Sequence, residues 1–308
     1  MIRNLLQAPA SVVMIRPHAF RPNLETAQDN AFQTEATGDD VAARAKGEVD
    51  GAVAVLRGEG VEVHLFDDDG RRDTPDSVFP NNWISTHPGG LVGLYPMHAP
   101  SRRRERRSDV VDLLKARYRV ETVHDYSGLE QDGLALEGTG AMVLDHIGRI
   151  AYTVKSNRAD PIVLERFCTH FGYEPIAFDA VDDAGRAIYH TNVLMCVATD
   201  YALVGLSMIP SDERRATVRR RLEETGRDVI DLSPEQIGRF AGNALELTGS
   251  QGRVLVLSAT ALASLTEAQR AKIEESARLV PITVPTIEHA GGSARCMIAA
   301  IHLTPRPQ

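Results

Sequence analysis

The sequence predicts an α/β fold: a ring of five strand–strand–helix–strand modules, a pseudo-symmetric five-bladed propeller. Three observations carry this. Short segments of one shape, a small or amide residue followed by an apolar run, recur along the chain. Aligned on Asn82, Gly140, Asn192, Asn243 and Arg295, they stand 58, 52, 51 and 52 residues apart, and so regular a period marks an array of like units. The two chain ends also hold complementary parts of one further module. Length alone, 308 residues, would suggest two domains of roughly 150 residues each, and an open α/β sheet is the plainer alternative. The spacing favours the ring, with residues 1–308 forming one domain.

Taken in order, the N-terminal part predicts a strand over residues 11–16, a helix over about 37–57 and a strand over 61–66. The block at Asn81-Asn82-Trp83-Ile84-Ser85 opens the first full module and Thr139-Gly140-Ala141-Met142-Val143-Leu144 the second. The third shows the pattern most fully. A strand runs from Asn192 to Ala198, Thr199-Asp200 turns the chain, and a second strand covers residues 201–208. Ser211 is an N-cap candidate with Asp212 and Glu213 in the first turn. The helix stops near Gly226, and a third strand covers residues 228–232. The fourth module has strands over 244–247, 253–257 and 280–284, with a helix over about 266–278. The C-terminus supplies only a strand pair around residues 296–303, which closes the ring with the N-terminal elements.

Composition excludes several classes. Apolar residues at 43% and charged residues at 25% are those of a globular protein and rule out disorder. The net charge of −8 disfavours nucleic acid and anionic lipid. The basic run Arg102-Arg103-Arg104-Glu105-Arg106-Arg107 reads as a solvated face opening a helix, with no interleaved aromatic residues to stack bases. No apolar stretch approaches the ~20 residues of a membrane span. The first residues, Met-Ile-Arg-Asn-Leu-Leu-Gln, lack a signal-peptide core. Three cysteines, Cys168, Cys196 and Cys296, offer neither a CxxC pair nor a disulfide framework. A cytoplasmic protein is expected, with no metal, no cofactor, no nucleic-acid partner and no membrane. A homo-oligomer is compatible with the sequence and not required by it.

In a ring of like modules, equivalent strand ends converge on the axis. The residues gathered there would be Asn81 and Asn82, Glu137, His190 with Asn192, Asn243, and Cys296 behind Gly291-Gly292. A thiol, an imidazole, a carboxylate and amides are the parts of a covalent hydrolase site. Each has a plainer reading: a buried strand cysteine, a hydrogen-bonded structural histidine, an acid facing water. Cys168 and Cys196 read as core. Gly138-Thr139-Gly140 lacks dinucleotide spacing and is not expected to open a helix.

Phe79-Pro80-Asn81-Asn82, Leu136-Glu137-Gly138-Thr139-Gly140, His190-Thr191-Asn192 and Gly291-Gly292-Ser293-Ala294-Arg295-Cys296-Met297 resemble the guanidino-group-modifying superfamily. It comprises arginine deiminases, dimethylarginine dimethylaminohydrolases, amidinotransferases and dihydrolases. With Met14-Ile15-Arg16-Pro17 and Asp29-Asn30-Ala31-Phe32-Gln33, the pattern is most similar to the citrulline-utilisation hydrolase branch. The resemblance implies a five-bladed α/β propeller and an enzyme of arginine metabolism that hydrolyses a C–N bond. Cys296 would be the nucleophile, His190 the general acid/base, and Glu137 a hydrogen-bond acceptor for substrate nitrogens. The deiminase pattern carries aspartates where this chain has Asn82 and Asn192.

That departure has a physical reading. Two carboxylates suit a guanidinium with its five donors, whereas amides suit a neutral ureido group and aim a donor at a developing oxyanion. The expected reaction is citrulline to ornithine, or arginine through two hydrolyses to ornithine. An amidinotransferase, or a deiminase-like or dimethylaminohydrolase-like hydrolase, is the alternative, and a non-enzymatic scaffold is the third reading. Arg16, Arg149 and Arg295 are candidates to anchor the substrate carboxylate, with Asn23 and Asn30 as contacts from the loop after the first strand.

Overall fold

The computed structural model of the protein describes residues 6–27, 30–34 and 40–307. Five three-stranded sheets form, and all have the same internal order. In each, a first strand pairs antiparallel with a second, and the second pairs parallel with a third. The first sheet after the N-terminal region holds Ile84–His87, Leu91–Leu94 and Thr122–Asp125. The next three hold Met142–Asp145, Ile150–Val154 and Glu174–Phe178, then Met195–Val197, Tyr201–Val204 and Asp228–Asp231, then Leu245–Gly249, Gly252–Ser258 and Arg278–Ile282. The antiparallel step needs only a hairpin. The parallel step needs a crossover of about a dozen residues, and a helix supplies it.

The fifth sheet joins the chain ends. Ser11–Pro17 lies between Ala299–Ala300 and Glu62–Asp68, antiparallel to the first (Val12 opposite Ala300) and parallel to the second. This corrects the expected C-terminal strand pair. The C-terminus contributes one two-residue strand, and Ser11–Pro17 takes the middle position.

Capping sets the helix limits. Asp160 accepts from the backbone N–H groups of Ile162 and Val163 to start Pro161–Phe171, and Gly172 in the left-handed region ends it. Its buried face carries Val163, Leu164, Phe167, Cys168 and Phe171, each large apolar side chain adding roughly 1.5–3 kcal/mol by burial. Ser211 caps Asp212–Glu224 through the Arg214 N–H, as the sequence predicts, and Thr266 with Gln269 forms a capping box on Glu267–Glu274. The N-terminal helix is Val41–Gly58; Thr37, where the sequence places its start, lies outside the described residues, as do Asp29 and Met1 to Leu5.

Other differences are local. The second strand of the third full module ends at Val204, and Leu206–Met208 is a 3-10 turn. The repeated blocks do not begin as strands. Pro80–Asn82, Gly138–Ala141 and Thr191–Leu194 are single helical turns that lead into the first strands. Gly138-Thr139-Gly140 therefore does begin a helical turn, against expectation. Among the described residues, no helix is long and apolar enough to cross a membrane.

Candidate active site

Asn82 at the end of its turn, His190 just before Thr191–Leu194, and Cys296 bring polar side chains to one buried pocket, with the Gly138–Ala141 turn packed beside them. Glycine makes the approach feasible. A Cβ on Gly140 would collide with Asn82 Nδ2 and stand 2.8 Å from the His190 ring. Gly138, at φ +45°, packs so close to the Asn81 carbonyl that a Cβ would lie 2.5 Å from its oxygen. The turn at Thr191–Leu194 is pinned from below, where Thr191 Oγ1 accepts from the Val154 N–H at 2.7 Å and donates to the Ala141 carbonyl.

Cys296 sits in a turn after the paired glycines, its N–H donating to the Ser293 carbonyl, and is 3% exposed. Two amides aim N–H groups at its sulfur: Asn192 Nδ2 at 3.3 Å and Asn243 Nδ2 at 3.2 Å. Asn243 is held in turn, because its Oδ1 accepts from the Arg295 N–H and its Nδ2 also donates to the Asn192 carbonyl.

His190, in extended backbone just before its turn, meets Glu137 with Nε2 2.8 Å from Oε2. Both are buried. Glu137 Oε1 accepts from the His98 N–H at 3.1 Å. Its Oε2 also faces Arg102 Nη1 at 3.5 Å and Arg158 Nη1 at 3.6 Å. Burial alone would raise this carboxyl, but Arg158, His190 and Arg102 hold it well below the usual carboxylate range. Burial pulls His190 down to about 4 despite the partial support of Glu137. The imidazole is therefore neutral near pH 7 and able to accept a proton. Tyr189 lies against the His190 ring and donates to the Gly291 carbonyl at 2.5 Å, tying the histidine segment to the cysteine loop.

A second buried carboxylate comes from a segment the sequence did not single out. Asp76 Oδ2 accepts from Asn23 Nδ2 at 2.9 Å and lies 3.8 Å from Arg102 Nε, while Oδ1 has no protein partner. Burial raises its pKa. Arg102 is held bidentately by Glu105, with both contacts at 2.9 Å. Arg158 lies over the Tyr189 ring at 4.9 Å. Asn82 Nδ2 and Asn192 Oδ1 are buried without protein partners. The pocket wall includes Thr26, Asn30, Asp76, Asn82, Arg102, Arg158, His190 and Cys296, and the space left among them is about 10 Å³, room for about one water. Among the described residues, no group of three or more His, Cys, Asp or Glu is arranged to hold a metal.

The structure thus brings together Cys296, His190, Glu137, Asn82 and Asn192. Asn23 stands behind the wall, its amide spent on Asp76, Ser101 and the Glu25 N–H. Asn30 donates to the Ala290 carbonyl at the rim. The three arginines expected at the carboxylate lie elsewhere. Arg16 pairs with Asp50 and Asp67, Arg149 covers the Tyr173 ring, and the Arg295 side chain lines a different cavity. The basic run does not form a solvated face throughout, because Arg102 is 2% exposed and Glu105 is 3% exposed, and Arg106 pairs with Glu130. Sequence reasoning missed Asp76, Arg102 and Arg158 as site residues. The one signal available was the i, i+3 spacing of Arg102 and Glu105.

The family described as "N,N dimethylarginine dimethylhydrolase, eukaryotic" matches residues 16–303. Solved structures share the fold. The N-terminal domain of ArgZ, an arginine dihydrolase from the ornithine-ammonia cycle in Cyanobacteria, was solved with bound substrate as a cysteine-to-serine variant. It is 17% identical, with a TM-score of 0.73, over 95% of this chain and 99% of that one. AgrE in ternary complex with ornithine and NAD+ gives 17% and 0.74, over 97% of this chain and 40% of AgrE. A dimethylarginine dimethylaminohydrolase carrying an S-methyl-L-thiocitrulline adduct gives 13% and 0.61, over 94% and 98%. No protein of curated function matches the sequence. The chain belongs to the N,N-dimethylarginine dimethylhydrolase family of the guanidino-group-modifying superfamily, and it is a hydrolase of C–N bonds in guanidino compounds.

Proposed function

We propose that the protein is a cysteine hydrolase whose substrate is a guanidino or ureido α-amino acid and whose final product is ornithine, reached from citrulline directly or from arginine in two hydrolyses. The observation that carries this is the set of unpaired groups around the thiol. Asn82 Nδ2 offers a donor, and Asn192 Oδ1 and Asp76 Oδ1 offer acceptors, all buried and unpartnered by protein. A ureido group needs one donor for its oxygen and acceptors for its nitrogens. A guanidinium is served as well, because Asp76 and Glu137 restore the two carboxylates that Asn82 and Asn192 lack. Glu105 already occupies the Arg102 fork, and Arg158 is the pocket cation assigned to the substrate carboxylate.

The chemistry follows. His190 takes the Cys296 proton, and the thiolate attacks the central carbon. The negative charge that develops is met by amide N–H groups. The C–N bond breaks as His190 passes its proton to the leaving amine: ammonia leaves arginine, so that an S-linked amidino group still carrying the ornithine chain stays on Cys296 and water turns it into citrulline, and an amine leaves citrulline, so that an S-linked carbamoyl group stays on Cys296. His190 then deprotonates water, water adds to the carbon, and the C–S bond breaks with return of the proton to sulfur. With about 10 Å³ free, admitting an amino acid requires movement of the wall that Thr26 and Asn30 form. The protein acts in the cytoplasm on this reading, without a cofactor, as a single domain spanning residues 1–308.

The test is product analysis with arginine, citrulline and N-methylated arginines as separate substrates, each with and without added glycine. Ornithine and ammonia are expected, unchanged by glycine. Citrulline that accumulates from arginine and is not consumed contradicts the ureido step, and an amidinated glycine shows a transferase.

A further inference from the structure

A second cavity lies inside the ring, apart from the catalytic pocket and sharing none of its lining residues. The first strands of all five sheets wall it, and Arg295, His146, His302, Gln7 and Cys196 supply its polar surface. Its volume is about 40 Å³, room for roughly three water-sized centres.

The charge in this channel is not balanced. Arg295 donates through Nη1 to the Ile298 carbonyl at 2.9 Å. No described carboxylate pairs with it, and the ionisable groups nearest to it are the sulfurs of Cys296 and Cys196. Its side chain is half-buried and lines the channel. The neighbours cannot compensate. His146 and His302 stack at 3.8 Å, and burial holds both neutral. The Gln7 amide is spent on the Leu144 and Val197 carbonyls and the His146 N–H. A half-buried guanidinium with unused N–H groups and no carboxylate beside it is a fork for an oxyanion.

We propose that this channel binds a small carboxylate or oxyanion, of the size of formate, acetate or bicarbonate, on the Arg295 guanidinium. The site is coupled to the thiol. The Arg295 N–H donates to Asn243 Oδ1 at 3.0 Å, and Asn243 Nδ2 donates to Cys296 Sγ at 3.2 Å. An anion on Arg295 cancels a positive charge next to Cys296, so its occupancy opposes thiolate formation.

The experiment uses the full chain in a buffer with a bulky counter-ion at constant ionic strength. Formate, acetate and bicarbonate are titrated while Tm is recorded, and the rate of Cys296 alkylation by iodoacetamide is followed by peptide mass spectrometry. Expected are a saturable rise in Tm and a several-fold slower alkylation. The Tm rise should survive prior alkylation of Cys296. Apparent affinity should fall at least tenfold in Arg295→Met and several-fold in Arg295→Lys, which keeps the charge and loses the fork. No saturable response, an equal response in either variant, or a response abolished by prior alkylation overturns the proposal.

Discussion

His190 Nε2 and Glu137 Oε2 stand 2.8 Å apart, with both side chains buried and two arginines sharing the same carboxylate oxygen. Glu137 touches the imidazole, Arg102 and Arg158 together. Replacing it with Gln removes a buried negative charge that His190, Arg102 and Arg158 all face. Glu137→Gln should lower stability by about 3–5 kcal/mol and turnover by at least ~100-fold, checked by urea denaturation and steady-state assay.

The buried histidine sets a pH dependence. Burial brings His190 down to about 4 in the folded chain, against ~6.5 when unfolded. Between these values the unfolded state binds a proton that the folded state does not, so stability rises with pH there. The His190 contribution is complete above pH 6.5 and is lost as pH falls toward 4. Burial also lowers His87, His146 and His302, and their contributions carry the same sign. Denaturation midpoints from pH 4 to 8 should fall steeply on the acid side. The acid limb of kcat/KM should lie nearer 4 than 6.5.

Asn243 tests the donors on sulfur. Its amide reaches Cys296 Sγ while its oxygen holds the Arg295 N–H. Asn243→Ala should slow Cys296 alkylation and lower kcat by about 100-fold, the order seen when one preorganised donor is lost. Equal alkylation rates in variant and wild type contradict the role.

The arginines separate anchoring from packing. Arg158→Lys keeps the charge and loses the fork, and should raise KM for an amino-acid substrate about tenfold with a smaller effect on kcat. Arg149→Lys, at the Tyr173 ring, should leave KM unchanged. Initial-rate kinetics on the two variants checks the contrast.

The ring was legible because like segments recur at steps of 58, 52, 51 and 52 residues, and because caps such as Ser211 act locally. The closure was harder to read. The C-terminal strand is only Ala299–Ala300, too short to show a period, and the sequence suggests a C-terminal strand pair where Ser11–Pro17 in fact supplies the middle strand. In the site, Cys296, His190, Glu137, Asn82 and Asn192 were visible because they stand at repeated positions. Arg102 and Asp76 do not. Arg102 sits in a run of arginines, most of which keep contact with solvent, and only tertiary packing against Glu105, Glu137 and Asp76 separates it from its neighbours. Arg295 failed in the opposite way. It adjoins Cys296 in sequence, yet its side chain leaves the pocket and turns into the channel.

The most direct measurement is mass spectrometry of the protein quenched during turnover of arginine or citrulline, paired with the Cys296→Ser variant. The account predicts a carbamoyl or amidino adduct on the peptide that carries Cys296, and a folded serine variant with no turnover and no adduct. Turnover near the wild-type rate in Cys296→Ser, or an adduct on Cys168 or Cys196 instead, would contradict it.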